Sequence, residues 1–138
     1  MSVPINRVIF NILARDVGTS AEFYQRLAGF QPVRQAEWYV TMTSPTMPGF
    51  ELGLIDQVSE FVPRAARGTV GSFYLTLVVA DVAQAVALAR QMDVEVVEEP
   101  SVLGGGWSRA VLRDPNGVVL DISTQAAQLT LPPRHHVG

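Results

Sequence analysis

The sequence predicts an α+β fold in which two βαβββ modules together form a curved mixed sheet of eight strands, with one helix behind each half. Three observations predict it. The chain nearly repeats itself at a spacing of about 65–70 residues. Each repeat opens on a short apolar run that passes through an Asp-Val pair into helical spacing. Each closes on a hairpin that begins at a tryptophan, Trp38 in the first half and Trp107 in the second.

In the first half, Val8 to Leu13 reads as a strand. Asp16 suits an N-cap, and Val17, Ala21, Tyr24 and Ala28 then recur at helical spacing, with Phe23, Tyr24 and Leu27 as its core residues. Gly29 suits the stop. Phe30 to Val33 is extended, and a hairpin follows from Trp38 to Thr43 and from Phe50 to Ile55 across Ser-Pro-Thr-Met-Pro-Gly. Asp56 to Thr69, with Arg64, Ala65, Ala66 and Arg67, reads as a linker holding a short helix.

The second half repeats this order. Phe73 to Val79 is the strand, and Asp81 with Gln84 forms a capping box ahead of Val82, Val86, Ala89 and Met92. Val94 to Glu98 is extended, and the last hairpin joins Trp107–Arg113 to Val118–Ser123 through Asp114-Pro115-Asn116-Gly117. Pro fits the second position of such a turn, Asp bonds back to the chain and Gly closes it. The predicted division is one domain over 1–138, with modules at about 6–56 and 71–125, a linker at about 57–70 and a tail over 126–138.

Composition excludes several functions. A chain of 138 residues, 48% hydrophobic, supports one core. A net charge of −3 without any Lys/Arg cluster argues against nucleic acid. The absence of cysteine removes disulfides, thiolate nucleophiles and Cys-rich zinc sites. No apolar run approaches the roughly 18 residues a membrane span needs, and MSVPINR lacks a signal-peptide core, so a soluble cytoplasmic protein without membrane partners is expected. Gly104-Gly105-Gly106 lacks the residues of a phosphate loop and reads as a flexible connection. His135 and His136 follow Pro132-Pro133 in the tail, which leaves no serine a histidine partner for a nucleophilic triad.

The stretch RDPNGVVLDIS poses the chemical question. Asp121 lies between Leu120 and Ile122, where alternation turns it either to water or into a site, and Glu51 occupies a similar place in the first half. DVGTSAEFYQRLAGF followed by FELGLI, then VVADVAQAVALARQMDVEVV and RDPNGVVLDIS, resembles the glyoxalase/bleomycin resistance/dioxygenase group, the vicinal oxygen chelate superfamily, over roughly residues 6 to 125.

The resemblance implies a cup holding one divalent metal, with ligands from the first and last strands of each module. Its first-strand ligand, often His, falls seven residues before the capping Asp, at Ile9 and Tyr74; its last-strand ligands, often Glu, match Glu51 and Asp121. Two carboxylates are kept and two usual donors are lost. Isoleucine coordinates nothing and neutral tyrosine is an uncommon ligand, so the expected cofactor is none or a weakly bound divalent metal, magnesium or manganese rather than zinc.

The same resemblance turns Asn11 and Thr76 into the cup, where they bond either a ligand or neighbouring groups. Trp38 and Trp107 either wall a pocket or pack at its rim. Arg109, on the face of Trp107, either neutralises Asp121 or an acidic ligand, or stays exposed. The implied function is binding of a small molecule with lyase, isomerase or dioxygenase chemistry at a degenerate metal site, Glu51 serving as a base if burial raises its pKa. The alternative is a ligand-sequestering protein without catalysis, like the antibiotic-resistance members. A homodimer is expected in either case.

Overall fold

The computed structural model describes residues 7–68, 73–102 and 108–124. The chain divides into two compact units, 1–70 and 71–138. Within them run β1 (Ile9–Ala14), α1 (Val17–Ala28), β2 (Gln31–Ala36), β3 (Tyr39–Ser44) and β4 (Met47–Asp56), then β5 (Leu75–Val78), α2 (Val82–Gln91), β6 (Val96–Val102), β7 (Ser108–Arg113) and β8 (Val119–Ser123). The predicted linker helix is the single 3-10 turn Arg64–Ala66. Trp107, Gly104-Gly105-Gly106, His135 and His136 lie outside the described residues.

Each unit builds the predicted βαβββ module. The strands hydrogen-bond as two sheets of four, in the orders β1-β4-β3-β2 and β5-β8-β7-β6. In both, the first strand runs parallel to the last, which requires the helical crossover between them, and the remaining neighbours are antiparallel.

The helices start where the sequence says. Asp16 accepts from the backbone of Thr19 at 2.9 Å, and Asp81 from that of Gln84 at 3.0 Å, each satisfying one of the first orphan donors. Gly29 ends α1 at a φ of 74°. The second stop carries no glycine signal; Asp93 adopts a φ of 59° after Met92, a conformation Asp tolerates better than most residues. Val17, Ser20, Phe23 and Tyr24 are buried on α1, and Val82, Val86 and Ala89 on α2. Leu27 is only half-buried.

The strands supply the opposing apolar layer: Ile12, Ala14, Val40, Met42, Leu52 and Leu54 in the first unit, Ala110, Leu112, Leu120 and Ile122 in the second. Alternation therefore assigns the intervening residues to the face opposite each helix. Strand β5 is shorter than the predicted Phe73–Val79; Tyr74 precedes it and is 61% exposed. Among the described residues no helix is long and apolar enough to cross a membrane.

The last hairpin is held by Asp114. Buried at 5% exposure, its Oδ1 accepts from the backbone N–H of Asn116 at 2.7 Å and of Val118 at 2.8 Å, and its own N–H donates to the Val118 carbonyl at 2.9 Å. Gly117 closes the turn by donating to the Asp114 carbonyl at 3.1 Å, with a φ of 91° that favours glycine. Removing the carboxylate strands two backbone donors. Asp114→Ala is expected to cost about 2–4 kcal/mol in urea unfolding, and Asp114→Asn less, because an acceptor remains. A loss below about 1 kcal/mol for the alanine variant contradicts this role.

Candidate functional site

In the first unit, three rows of paired residues cross the face opposite α1. Ile9 is opposite Glu51, which is opposite Thr43; Asn11 is opposite Gly53, which is opposite Thr41; Leu13 is opposite Ile55, which is opposite Tyr39. Strand β2 adds Arg34 opposite Thr41, just after a register shift that follows Pro32.

Glu51 points onto this face and meets Arg7. The guanidinium donates from Nε to Oε2 at 2.8 Å and from Nη2 to Oε1 at 2.6 Å, a two-pronged contact that uses both carboxylate oxygens. The Glu51 side chain is 18% exposed and that of Arg7 52%. The hydrogen bond from Arg7 holds the Glu51 carboxyl below its ordinary range, and Arg34 pulls in the same direction. This corrects the expectation of a raised pKa: burial pushes upward, and the guanidinium outweighs it.

Asn11 lies across Gly53. A Cβ on Gly53 would stand 2.0 Å from Asn11 Oδ1 and 3.1 Å from the Tyr39 hydroxyl, so only glycine leaves room for the two side chains to meet. They do meet: Tyr39 donates to Asn11 Oδ1 at 3.2 Å. Partial burial raises the Tyr39 pKa. Trp38, at 39% exposure, stacks on the half-buried Tyr39 with centroids 5.4 Å apart and on the exposed Phe61 at 4.9 Å.

The second unit answers the question posed by Asp121. Its side chain turns away from α2, is 5% exposed, and accepts from Arg109 Nε at 2.9 Å and from Thr76 Oγ1 at 3.0 Å, one donor on each oxygen. Arg109, Thr76 and Asp121 are thus brought together. Tyr74 shares their face by alternation but precedes the strand and is largely exposed.

The two acids are not equivalent. Asn11 and Thr76 each stand five residues before a helix cap, yet Asn11 is opposite Gly53 whereas Thr76 is opposite Asp121. Glu51 is opposite Ile9, one same-face step earlier. The sequence spacing that paired Glu51 with Asp121 did not reveal this offset. Arg7, Arg34, Thr41 and Gly53 were also missed; only Arg7 left a signal, two residues before Ile9 and so on the same face if the strand is extended backwards.

The donor set does not fit a divalent metal. Ile9 offers nothing, Tyr74 lies outside its strand, and both oxygens of each carboxylate are already bound by protein donors. Among the described residues no group of three or more His, Cys, Asp or Glu is gathered.

The lowered pKa of Glu51 has a measurable consequence. A carboxyl depressed in the folded state contributes stability above its unfolded value, about 4.3, and loses it as pH falls through the folded value. Carbon-detected NMR titration should give Glu51 a midpoint below about 4.3, and Arg7→Gln should return it toward that value. A midpoint above it would restore Glu51 as a base poised by burial.

The profile of the Glyoxalase/Bleomycin resistance protein/Dioxygenase superfamily matches residues 5–122. Among solved structures, a glyoxalase/bleomycin resistance protein/dioxygenase family enzyme from Burkholderia phytofirmans PsJN is 22% identical, with a TM-score of 0.68 and coverage of 83% of this chain and 94% of that one. A glyoxalase-related enzyme from Fulvimarina pelagi is 20% identical, with a TM-score of 0.71 and 86% of each chain covered. A hypothetical protein from S. aureus is 23% identical, with a TM-score of 0.73 and coverage of 89% and 96%. Likeness at this identity shows the fold. No curated protein matches the chain. The match over most of the chain, together with the βαβββ modules, shows that the chain belongs to the Glyoxalase/Bleomycin resistance protein/Dioxygenase superfamily.

Proposed function

We propose that the chain is a small-molecule-binding member of the superfamily with a degenerate metal site, its ligand meeting the face of a sheet opposite its own helix. The observation that carries this reading is that arginine engages each strand carboxylate: Arg7 takes both oxygens of Glu51, and Arg109 takes one oxygen of Asp121 while Thr76 takes the other. A guanidinium supplies the positive charge that keeps such an acid ionised without a metal.

The proposed ligand-facing groups are Asn11 and the Trp38–Tyr39 stack on the first unit and Thr76 and Arg109 on the second, with Glu51 and Asp121 as fixed acceptors that orient the cation of each. Lyase, isomerase or dioxygenase turnover needs a proton acceptor near neutral pH or a metal. The candidate acceptor, Glu51, is shifted in the opposite direction. Binding and orientation are therefore the roles these residues fit best. The cysteine-free composition suits a reducing compartment, and the cytoplasm is the proposed location.

The test is elemental analysis of purified, tag-free protein, with calorimetric titration of manganese, zinc and magnesium into wild type and Glu51→Gln. The expected result is no metal at stoichiometric level after dialysis and weak or undetectable uptake on titration. A metal that survives dialysis and disappears in Glu51→Gln overturns the degenerate-site reading. A homodimer is proposed as well: β2 and β6 end their sheets and are exposed along nearly their whole length, leaving edges for a second copy to cover. Sedimentation should show a species of twice the 15.0 kDa chain mass, and a lone monomer across micromolar concentrations contradicts it.

A further inference from the structure

Thr41 carries the one polar side-chain atom among the described residues that is buried without a hydrogen-bond partner. Its residue is 1% exposed, and the register places it on the face opposite α1, beside Gly53. A buried hydroxyl left unpaired is costly, so its retention needs a reason.

The other polar side chains of that row are donors. Across Gly53, the Asn11 carboxamide accepts from Tyr39 through Oδ1, which leaves its N–H2 group without a partner among the described residues. On the other side Arg34 is paired opposite Thr41, is exposed, and makes no ion pair within the described residues. Arg7 is taken up by Glu51 in direct contact, whereas Arg34 acts on Glu51 only through longer-range attraction and keeps its N–H donors out of any ion pair among the described residues. A hydroxyl, an amide N–H2 and a guanidinium in one row want an acceptor with negative charge. Beside the row, Tyr39, Trp38 and Phe61 form a stacked apolar shelf.

We propose that the first unit binds a small aromatic carboxylate, its oxygens held by Arg34, Asn11 and Thr41 and its ring against Tyr39 and Trp38. This rests on the small-molecule reading above and names the ligand's chemical class. The Tyr39–Asn11 hydrogen bond, at 3.2 Å, closes over Gly53 and is the contact that the entering carboxylate displaces.

The experiment is calorimetric titration of benzoate, phenylacetate and the neutral benzamide into the full chain, as wild type, Thr41→Val and Arg34→Gln. At least one carboxylate should bind wild type, with benzamide at least about tenfold weaker, and each substitution should weaken the carboxylate about tenfold. Thr41→Val should also raise the thermal midpoint of the free protein, because it removes an unpaired hydroxyl at nearly constant volume; lost binding is then separable from lost folding. Failure of both carboxylates to bind, or equal affinity in all three proteins, overturns the proposal. Benzamide binding as tightly as benzoate overturns the anionic class while leaving the small-molecule reading intact.

Discussion

The parallel pairing of each unit's first strand with its last is the constraint on which the rest depends. It makes neighbours of residues far apart in sequence, Glu51 with Ile9 and Asp121 with Thr76. It also demands a crossover long enough for a helix, and that helix then covers one face of the sheet. Once α1 and α2 have claimed one set of apolar residues, alternation leaves the other residues of the same strands, Glu51, Asn11 and Asp121 among them, on the opposite face. An acid placed there, in a strand flanked on both sides, has little water and must find a cation or donors within its own module.

Both units solve that problem with arginine, but the consequences differ. Asp121 is almost fully enclosed and Arg109 one-third exposed, so breaking this pair leaves a buried charge with only the Thr76 hydroxyl among the named donors. Glu51 and Arg7 are more open, and solvent and salt screen their attraction. The first pair is part of the framework of its sheet. The second acts locally on charge, fixing the protonation state of Glu51 more than the stability of the unit.

Much of this fold was legible in sequence because its boundaries are marked by residues with a mechanism. Asp16, Asp81, Gly29 and the Asp114–Gly117 turn each satisfy or reshape particular backbone groups, and all do so where expected. The end of α2 was less clear because Asp93 performs a glycine's task. In the site, strand alternation left Asp121 turned either to water or inward and Arg109 either exposed or beside it, and only the family resemblance turned Thr76 inward; the structure brings the three together. The offset between Glu51 and Asp121 was not legible, since parallel register is set by the path of the crossover rather than by any local pattern. Gly53 and Thr41 were invisible for a related reason: each acquires its meaning only when three strands align in one row.

The neighbouring row, Ile9 opposite Glu51, shows how the residue beside an acid decides what the acid binds. With isoleucine at position 9, Glu51 has no side-chain donor from its parallel neighbour, and the nearest cation on the chain, Arg7, closes on it with both prongs. A carboxylate engaged in this way no longer attracts a divalent ion strongly, because coordination would first have to separate a charge-assisted pair. The electrostatic character of the face then passes to the groups outside that pair. On the first unit these are Arg34, the Asn11 amide and the Thr41 hydroxyl, all donors. With Glu51 held by Arg7, the proposed ligand face of the first unit is left with donors, and donors suit an anion.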